Sequence, residues 1–262
     1  MNSVFFHGIL LTYLFATLLL WFHLGLRQPQ LFWVANGLLG VGCGLQTLLL
    51  GYRLLTQPGY FWGDVYASIG LLAWAIIIGY GLAWWRYRIE ALGSFMVPLA
   101  FLAVVYSGVP TTTTEPMLPA LQHLLLAVHI FLAVLGYAAL ALTFCAGVMY
   151  LLQERQLKAK HAGMLYHRLP SLRVLDELNA WALVLGLPLF TQGVITGSIW
   201  AKYARGSYLN WRLTSVPLLL AWALYALLVG GRYALGWQGK KAAVVAVTGF
   251  LLVLALYFVH TL

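Results

Sequence analysis

The sequence predicts an all-α integral membrane protein of about eight transmembrane helices. Of its 262 residues, 63% are hydrophobic and only 8% are charged, and the mean hydropathy is +0.88. Soluble domains carry about 45–50% apolar and about 25% charged residues. A water-soluble fold lacks the core volume for this apolar excess, because polar side chains must still cover its surface. A lipid bilayer accommodates it.

Eight apolar runs are long enough to cross a bilayer, which takes about 20 residues. They are 4–24, 32–54, 60–85, 92–108, 120–152, 179–202, 213–235 and 243–262. Helices are expected because they satisfy every backbone group within one segment in lipid, and the period-two pattern of a barrel is absent. The loops are too short to fold alone, and no internal repeat is visible. The sequence therefore predicts one polytopic membrane domain over 1–262.

The distribution of lysine and arginine predicts the orientation, because these residues concentrate on the cytoplasmic side. If the 153–177 loop is in the cytoplasm, eleven of the fifteen Lys and Arg residues lie in cytoplasmic segments between the apolar runs and four lie in external segments. Both termini are then external, on the periplasmic side. Three of the four external cations lie in one loop, 202–212. This loop departs from the rule that Lys and Arg concentrate on the cytoplasmic side, and such a departure indicates a candidate functional site.

The charge pattern and the cysteine positions argue against nucleic-acid binding and against covalent haem attachment. The chain has 15 Lys and Arg against 6 Asp and Glu, but these cations flank apolar runs rather than forming the basic face that nucleic-acid binding requires. Cys43 and Cys145 lie inside apolar runs, outside any CxxC or CxxCH pattern, so no covalent haem attachment is predicted. Both are expected to be small core residues.

Aromatic and basic residues are interleaved around the external loop. They are Trp200, Lys202, Tyr203, Arg205, Tyr208, Trp211 and Arg212. Gly197 and Gly206 are expected to break the helix here, because glycine tolerates non-helical backbone. One interpretation is an interfacial aromatic belt. The other is a site for a planar, apolar molecule that carries carboxylates, such as haem.

Haem iron needs an axial ligand, most often histidine, and His129 is the candidate. It is the only one of the seven histidines that lies well inside a predicted span, about 13 Å from the external end at about 1.5 Å per residue. An ionisable side chain at such depth is a functional hypothesis by default; the alternative is a histidine bonded to a neighbouring helix. His123 lies six residues earlier, on a different helix face, and His260 lies near the external end of the last span.

Several segments resemble the cytochrome c assembly proteins, a family of tryptophan-rich membrane proteins that includes CcsA-type, CcmC-type and HemX-like members. The resemblance covers 65–262, is strongest from residue 120 onward and rests on four segments. These are VHIFLAVLGYAALALTFCAGVMYLLQERQLK at 128–158, LPSLRVLDELN at 169–179, GLPLFTQGVITGSIWA at 186–201 and LLAWALYALLVGGRYALGWQGKKAAVVAVTGFLLVLALYF at 219–258.

The resemblance implies residue roles. His129 matches the family's external-side haem ligand, and Trp200, Tyr208 and Trp211 match its haem-facing platform. The family loop has the form WGSYWSWDPKE or WWVWDARLTS, whereas this chain has RGSYLNWRLTS at 205–215, without the Asp. Family members carry a second external histidine, and His260 lies near that position. On physical grounds we add Arg205 and Arg212 as partners of the haem propionates, because arginine binds carboxylates bidentately.

The leading hypothesis is non-covalent b-type haem binding during cytochrome c assembly, at the outer face of the bacterial cytoplasmic membrane. Apocytochrome c and a second assembly subunit are the expected partners. No nucleophile or acid–base pair is visible, so any enzymatic role is at most a part in a synthase system. The alternative is a HemX-like regulator or scaffold of haem biosynthesis that acts through the 153–177 loop. A transporter would need broken helices in matching halves, and none are visible.

Overall fold

The computed structural model of the protein describes residues 2–56, 58–108, 120–159, 163, 166–208 and 215–261. Within them the chain forms nine α-helices, and a 3₁₀ turn at Glu90–Leu92 precedes the fifth. In order the helices are α1 (Asn2–Leu26), α2 (Pro29–Thr56), α3 (Pro58–Gly63), α4 (Val65–Tyr87), α5 (Gly93–Ser107), α6 (Ala120–Lys158), α7 (Leu172–Arg205), α8 (Ser215–Ala234) and α9 (Lys240–Thr261).

Six of the described helices are long and apolar enough to cross a membrane: α1, α2, α4, α5, α6 and α7. The described apolar part of α8, Leu218–Ala234, is shorter. The all-α membrane architecture is thus confirmed, while the span count of eight and the external termini stay predictions. Helix α6 has 39 residues, a length of about 58 Å at about 1.5 Å per residue. It therefore extends well beyond a hydrocarbon core of about 30 Å.

The predicted span at 60–85 is in fact two helices. Asp64 separates α3 from α4 and has extended backbone angles. Its carboxylate accepts the backbone N–H of Tyr66 at 2.9 Å, which satisfies one of the N–H groups that a helix start leaves without a partner. The acidic side chain within this apolar run marks the helix start.

Inter-helix contacts divide the chain into two compact units, Met1–Ala127 and Val128–Leu262. In the first unit, a buried polar chain joins α1, α2 and α4. Tyr13 donates its hydroxyl to Gln46 Oε1 at 2.7 Å, and Gln46 Nε2 donates to the carbonyl of Gly70 at 2.7 Å. These bonds satisfy polar groups that would be costly to bury alone. The expectation of a single membrane domain stays a prediction.

In the second unit, glycines bring the backbones of α6 and α7 into near contact. A Cβ added at Gly136 would lie 2.8 Å from the backbone nitrogen of Phe190, and one at Gly193 would lie 3.1 Å from Ala133 Cα. Small residues allow such an approach, and it favours helix association in lipid through close packing. The antiparallel pair α6–α7 forms the frame that carries the candidate site.

Candidate functional site

His129 is held against α7 by a hydrogen bond to a backbone carbonyl. Its Nδ1 lies 2.8 Å from the oxygen of Gly193. Because a carbonyl oxygen can only accept, Nδ1 must carry the hydrogen. In the neutral ring the lone pair is then on Nε2, which has no hydrogen-bond partner among the described residues. An imidazole whose Nδ1–H is bonded to a backbone carbonyl is the usual form of a histidine metal ligand.

The imidazole lies directly over Gly197, one turn along α7 from Gly193. A Cβ added at Gly197 would be 2.6 Å from His129 Cε1 and 2.7 Å from its Nδ1. The expectation that Gly197 breaks the helix was wrong, because α7 continues through it to Arg205. This glycine provides space for the ring.

Trp200 follows on the same face of α7. Residues 193, 197 and 200 are spaced four and three apart, which places them within one stripe at about 100° per residue. Trp200 is half-buried. The structure thus places the predicted aromatic residue one turn beyond the glycine that contacts His129, toward the end of α7 that carries the loop.

Gly206 ends α7, as the sequence predicts. Its φ of 77° lies in the left-handed region, and its N–H donates to the carbonyl of Lys202, which is a usual helix ending. Tyr208 follows and is 57% exposed. The ammonium of Lys202 lies 5.3 Å from the centroid of the Tyr208 ring and donates to the Gly206 carbonyl at 3.1 Å, so one cation and one exposed ring form a pair.

Four other predicted site residues are only partly described or not described. Trp211 and Arg212 lie outside the described residues, and the side chains of Arg205 and His260 lie outside the described part of the structure. The juxtaposition of His129 with the loop rings and with a second histidine therefore stays a prediction.

His23, near the end of α1, has a structural role. In the first unit, His23 Nδ1 lies 2.9 Å from the carbonyl oxygen of Gln28 and Nε2 lies 3.2 Å from Glu90 Oε2. Both ring nitrogens therefore already have polar partners within the first unit, which hold the ring in place. His123 is half-buried near the start of α6, and its shielded Nε2 has no partner among the described residues.

The oriented imidazole of His129 fits the role of an axial ligand, which is what haem requires from a protein. Within the described part of the chain, no three His, Cys, Asp or Glu side chains are grouped to hold a metal. A bare ion needs several such ligands, whereas a porphyrin supplies four nitrogens and requires only axial ligands from protein. A single oriented imidazole meets that need.

The sequence predicts His129 and Trp200 as site residues, but not the glycines that contact the His129 ring. Gly193 and Gly197 form a Gly-x-x-x-Gly pair within the segment GLPLFTQGVITGSIWA. This spacing is a known signal for close helix approach. From the sequence, a helix break is predicted at Gly197 and no role is assigned to Gly193, although the pair indicates the surface on which a neighbouring helix packs.

Comparison with known proteins identifies the family. Residues 62–262 match the family model of the cytochrome c assembly protein, which confirms the resemblance predicted from the sequence. The cytochrome c biogenesis protein CcsA of Chlamydomonas reinhardtii is 29% identical over 247 residues, covering 83% of this chain and 68% of that protein.

Two further relatives are also CcsA proteins. The cytochrome c biogenesis protein CcsA of Guillardia theta is 25% identical over 268 residues, which cover 94% of this chain and 89% of the relative. That of Microcystis aeruginosa is 28% identical over 258 residues, with coverage of 80% and 78%. The similarity therefore extends over most of this chain and most of each relative.

Proposed function

Because this chain belongs to the cytochrome c assembly family, its role lies in cytochrome c biogenesis, and we propose that it binds haem through His129 Nε2. One observation carries this proposal: His129 Nδ1 is bonded to the Gly193 carbonyl, which leaves Nε2 as the basic nitrogen. Haem supplies an iron centre that accepts such a ligand. The chain's own contribution is to hold the imidazole in one tautomer and one orientation.

The aromatic residues near the end of α7 provide the second part of the proposal. Trp200 lies on the α7 face that contacts His129, and Tyr208 presents an exposed ring beyond the helix end. Together with Trp211 they would pack against the apolar porphyrin. Arg205 and Arg212 would pair with its propionates, because guanidinium groups bind carboxylates bidentately. His260 is proposed as the second axial ligand.

The proposed setting is the outer face of a bacterial cytoplasmic membrane. The haem would be b-type and held without a covalent bond. Apocytochrome c and a second assembly subunit are the proposed partners. Since RGSYLNWRLTS at 205–215 lacks the aspartate of the family loop, we infer a haem-carrying or accessory role within the assembly system rather than haem attachment by this chain alone.

An absorption spectrum of the detergent-purified protein tests the proposal. Wild type, titrated with haem, should give a saturable histidine-ligated spectrum, and His129→Ala should lose it. His167→Ala is the matched control, because His167 is an exposed residue of the turn before α7 and should leave the spectrum unchanged. A wild-type spectrum retained by His129→Ala would overturn the proposal.

A further inference from the structure

With the His129 ring in its observed position, there is no room for a side chain at position 197. A Cβ there would lie 2.6, 2.7 and 3.2 Å from Cε1, Nδ1 and Nε2 of the imidazole. Carbon atoms in contact are normally about 3.5–4.0 Å apart. The ring would therefore have to move by the better part of an ångström to accommodate one methyl group.

Separating the helices to relieve such a clash would give up close packing between their backbones. One turn back along α7, the Cβ position of Gly193 is already 3.1 Å from Ala133 Cα and 3.2 Å from Ala133 N. Those atoms are backbone of α6, and close-packed interiors transmit strain rather than absorb it. The imidazole is the movable partner, so the displacement would fall on its hydrogen bond to the Gly193 carbonyl.

That carbonyl has a second donor nearby. The hydroxyl of Thr196 lies 2.7 Å from the Gln192 oxygen and 3.1 Å from the Gly193 oxygen, so its one hydrogen is divided between two acceptors. The strength of the bond from His129 Nδ1–H thus depends on how much of the oxygen Thr196 occupies. An isosteric Thr196→Val change would leave the carbonyl to the imidazole without adding bulk.

We propose that Gly197 and the carbonyl of Gly193 together form a positioning device for His129. The missing side chain of Gly197 provides the space in which the ring lies, and the carbonyl selects the Nδ1–H tautomer. Together they determine the direction of Nε2. The orientation of the His129 ring is inferred from these contacts alone, whereas the use of that orientation for haem ligation rests on the proposed function.

The first experiment measures the protonation and hydrogen bonding of the His129 ring nitrogens by NMR in the absence of haem. In protein labelled with ¹⁵N-histidine, the His129 signals are assigned as those absent from His129→Ala. Wild type should show a hydrogen-bonded Nδ1–H and an unprotonated Nε2. Gly197→Ala should weaken the Nδ1 hydrogen bond, and Thr196→Val should strengthen it. Gly230→Ala is the control, because a Cβ at this helical glycine meets no atom within 4 Å.

The second experiment titrates the same variants with haem. Loss of the group that orients a metal-binding histidine typically lowers metal affinity about 10- to 100-fold, so Gly197→Ala should bind haem at least about tenfold more weakly, whereas Gly230→Ala should match wild type. If wild type binds no haem but its Nδ1 resonance responds as expected, the proposed function fails and the positioning device stands. An Nδ1 resonance that responds to neither Gly197→Ala nor Thr196→Val overturns the inference.

Discussion

Arg232 Nη2 lies 2.5 Å from Asp176 Oδ2, which joins the end of α8 to the first turns of α7. The side chains are only 11% and 17% exposed. Arg232 also donates to the Asp176 backbone oxygen at 3.0 Å, and Asp176 Oδ1 accepts the N–H of Gly239 at 2.9 Å. One carboxylate thereby connects α7, α8 and the turn before α9, drawing together two of the segments that carry the family resemblance.

Removing one member of this pair should destabilise the second unit. Truncation of one partner of a buried ion pair costs about 3–5 kcal/mol, because the other charge is left buried and uncompensated. We expect Arg232→Ala to lower the free energy of unfolding by about 3 kcal/mol, measured by thermal or denaturant unfolding in detergent.

A second ion pair on α7 provides the control for that experiment. Arg173 Nε lies 2.9 Å from Glu177 Oε1, with side chains 88% and 52% exposed. Exposed pairs contribute about 0–1 kcal/mol, so Arg173→Ala should have little effect. Equal losses of stability in Arg173→Ala and Arg232→Ala would show that the Asp176 cluster has no special structural role.

Substitution of His23 should affect stability but not haem. Its two nitrogens lie 2.9 Å from the Gln28 carbonyl oxygen and 3.2 Å from Glu90 Oε2, and these contacts connect the end of α1 to the turn before α5. We expect His23→Ala to cost about 1 kcal/mol, as for a typical hydrogen bond, and to retain the haem spectrum of wild type. Haem loss comparable to that of His129→Ala would assign His23 a ligand role.

Enlarging Gly136 should separate α6 from α7. The added Cβ of Gly136→Ala would lie 2.8 Å from the Phe190 backbone nitrogen and 3.0 Å from its Cα, and backbone atoms cannot rotate away. Overpacking of this kind typically costs about 1–3 kcal/mol, which would lower the midpoint of thermal unfolding. Gly230→Ala in open space should leave the midpoint equal or raised, since alanine is the better helix former. The prediction is wrong if both variants shift the midpoint alike.

The predicted orientation can be tested with single cysteines. In a Cys43→Ala/Cys145→Ala background, Ser207→Cys should react with a membrane-impermeant maleimide in intact cells. Lys158→Cys should react only after the cells are permeabilised, because the basic 153–177 loop is expected to stay in the cytoplasm. The opposite pattern would reverse the topology and place the His129 end of α6 on the inner side.

The sequence alone was enough to predict the all-α membrane architecture and the ligand candidate. Every segment that crosses a bilayer must be apolar and must satisfy its own backbone hydrogen bonds. Long apolar runs therefore predict spans even when the helices that pack beside them are unknown. The end of α7 was equally local, because Gly206 adopts a left-handed backbone that glycine tolerates. The helix start at Asp64, which divides the predicted span 60–85, was missed. His129 stood out because an imidazole deep within such a run is rare.

Only the tertiary structure decided which nitrogen of His129 is bonded and why position 197 is glycine. The bond from His129 to Gly193 joins residues 64 apart in the chain, and that between Arg232 and Asp176 joins residues 56 apart. Such contacts depend on the rotation and separation of whole helices. Every apolar face is tolerated by lipid, so hydropathy does not specify that rotation; it is set by the close packing of glycine against the neighbouring backbone.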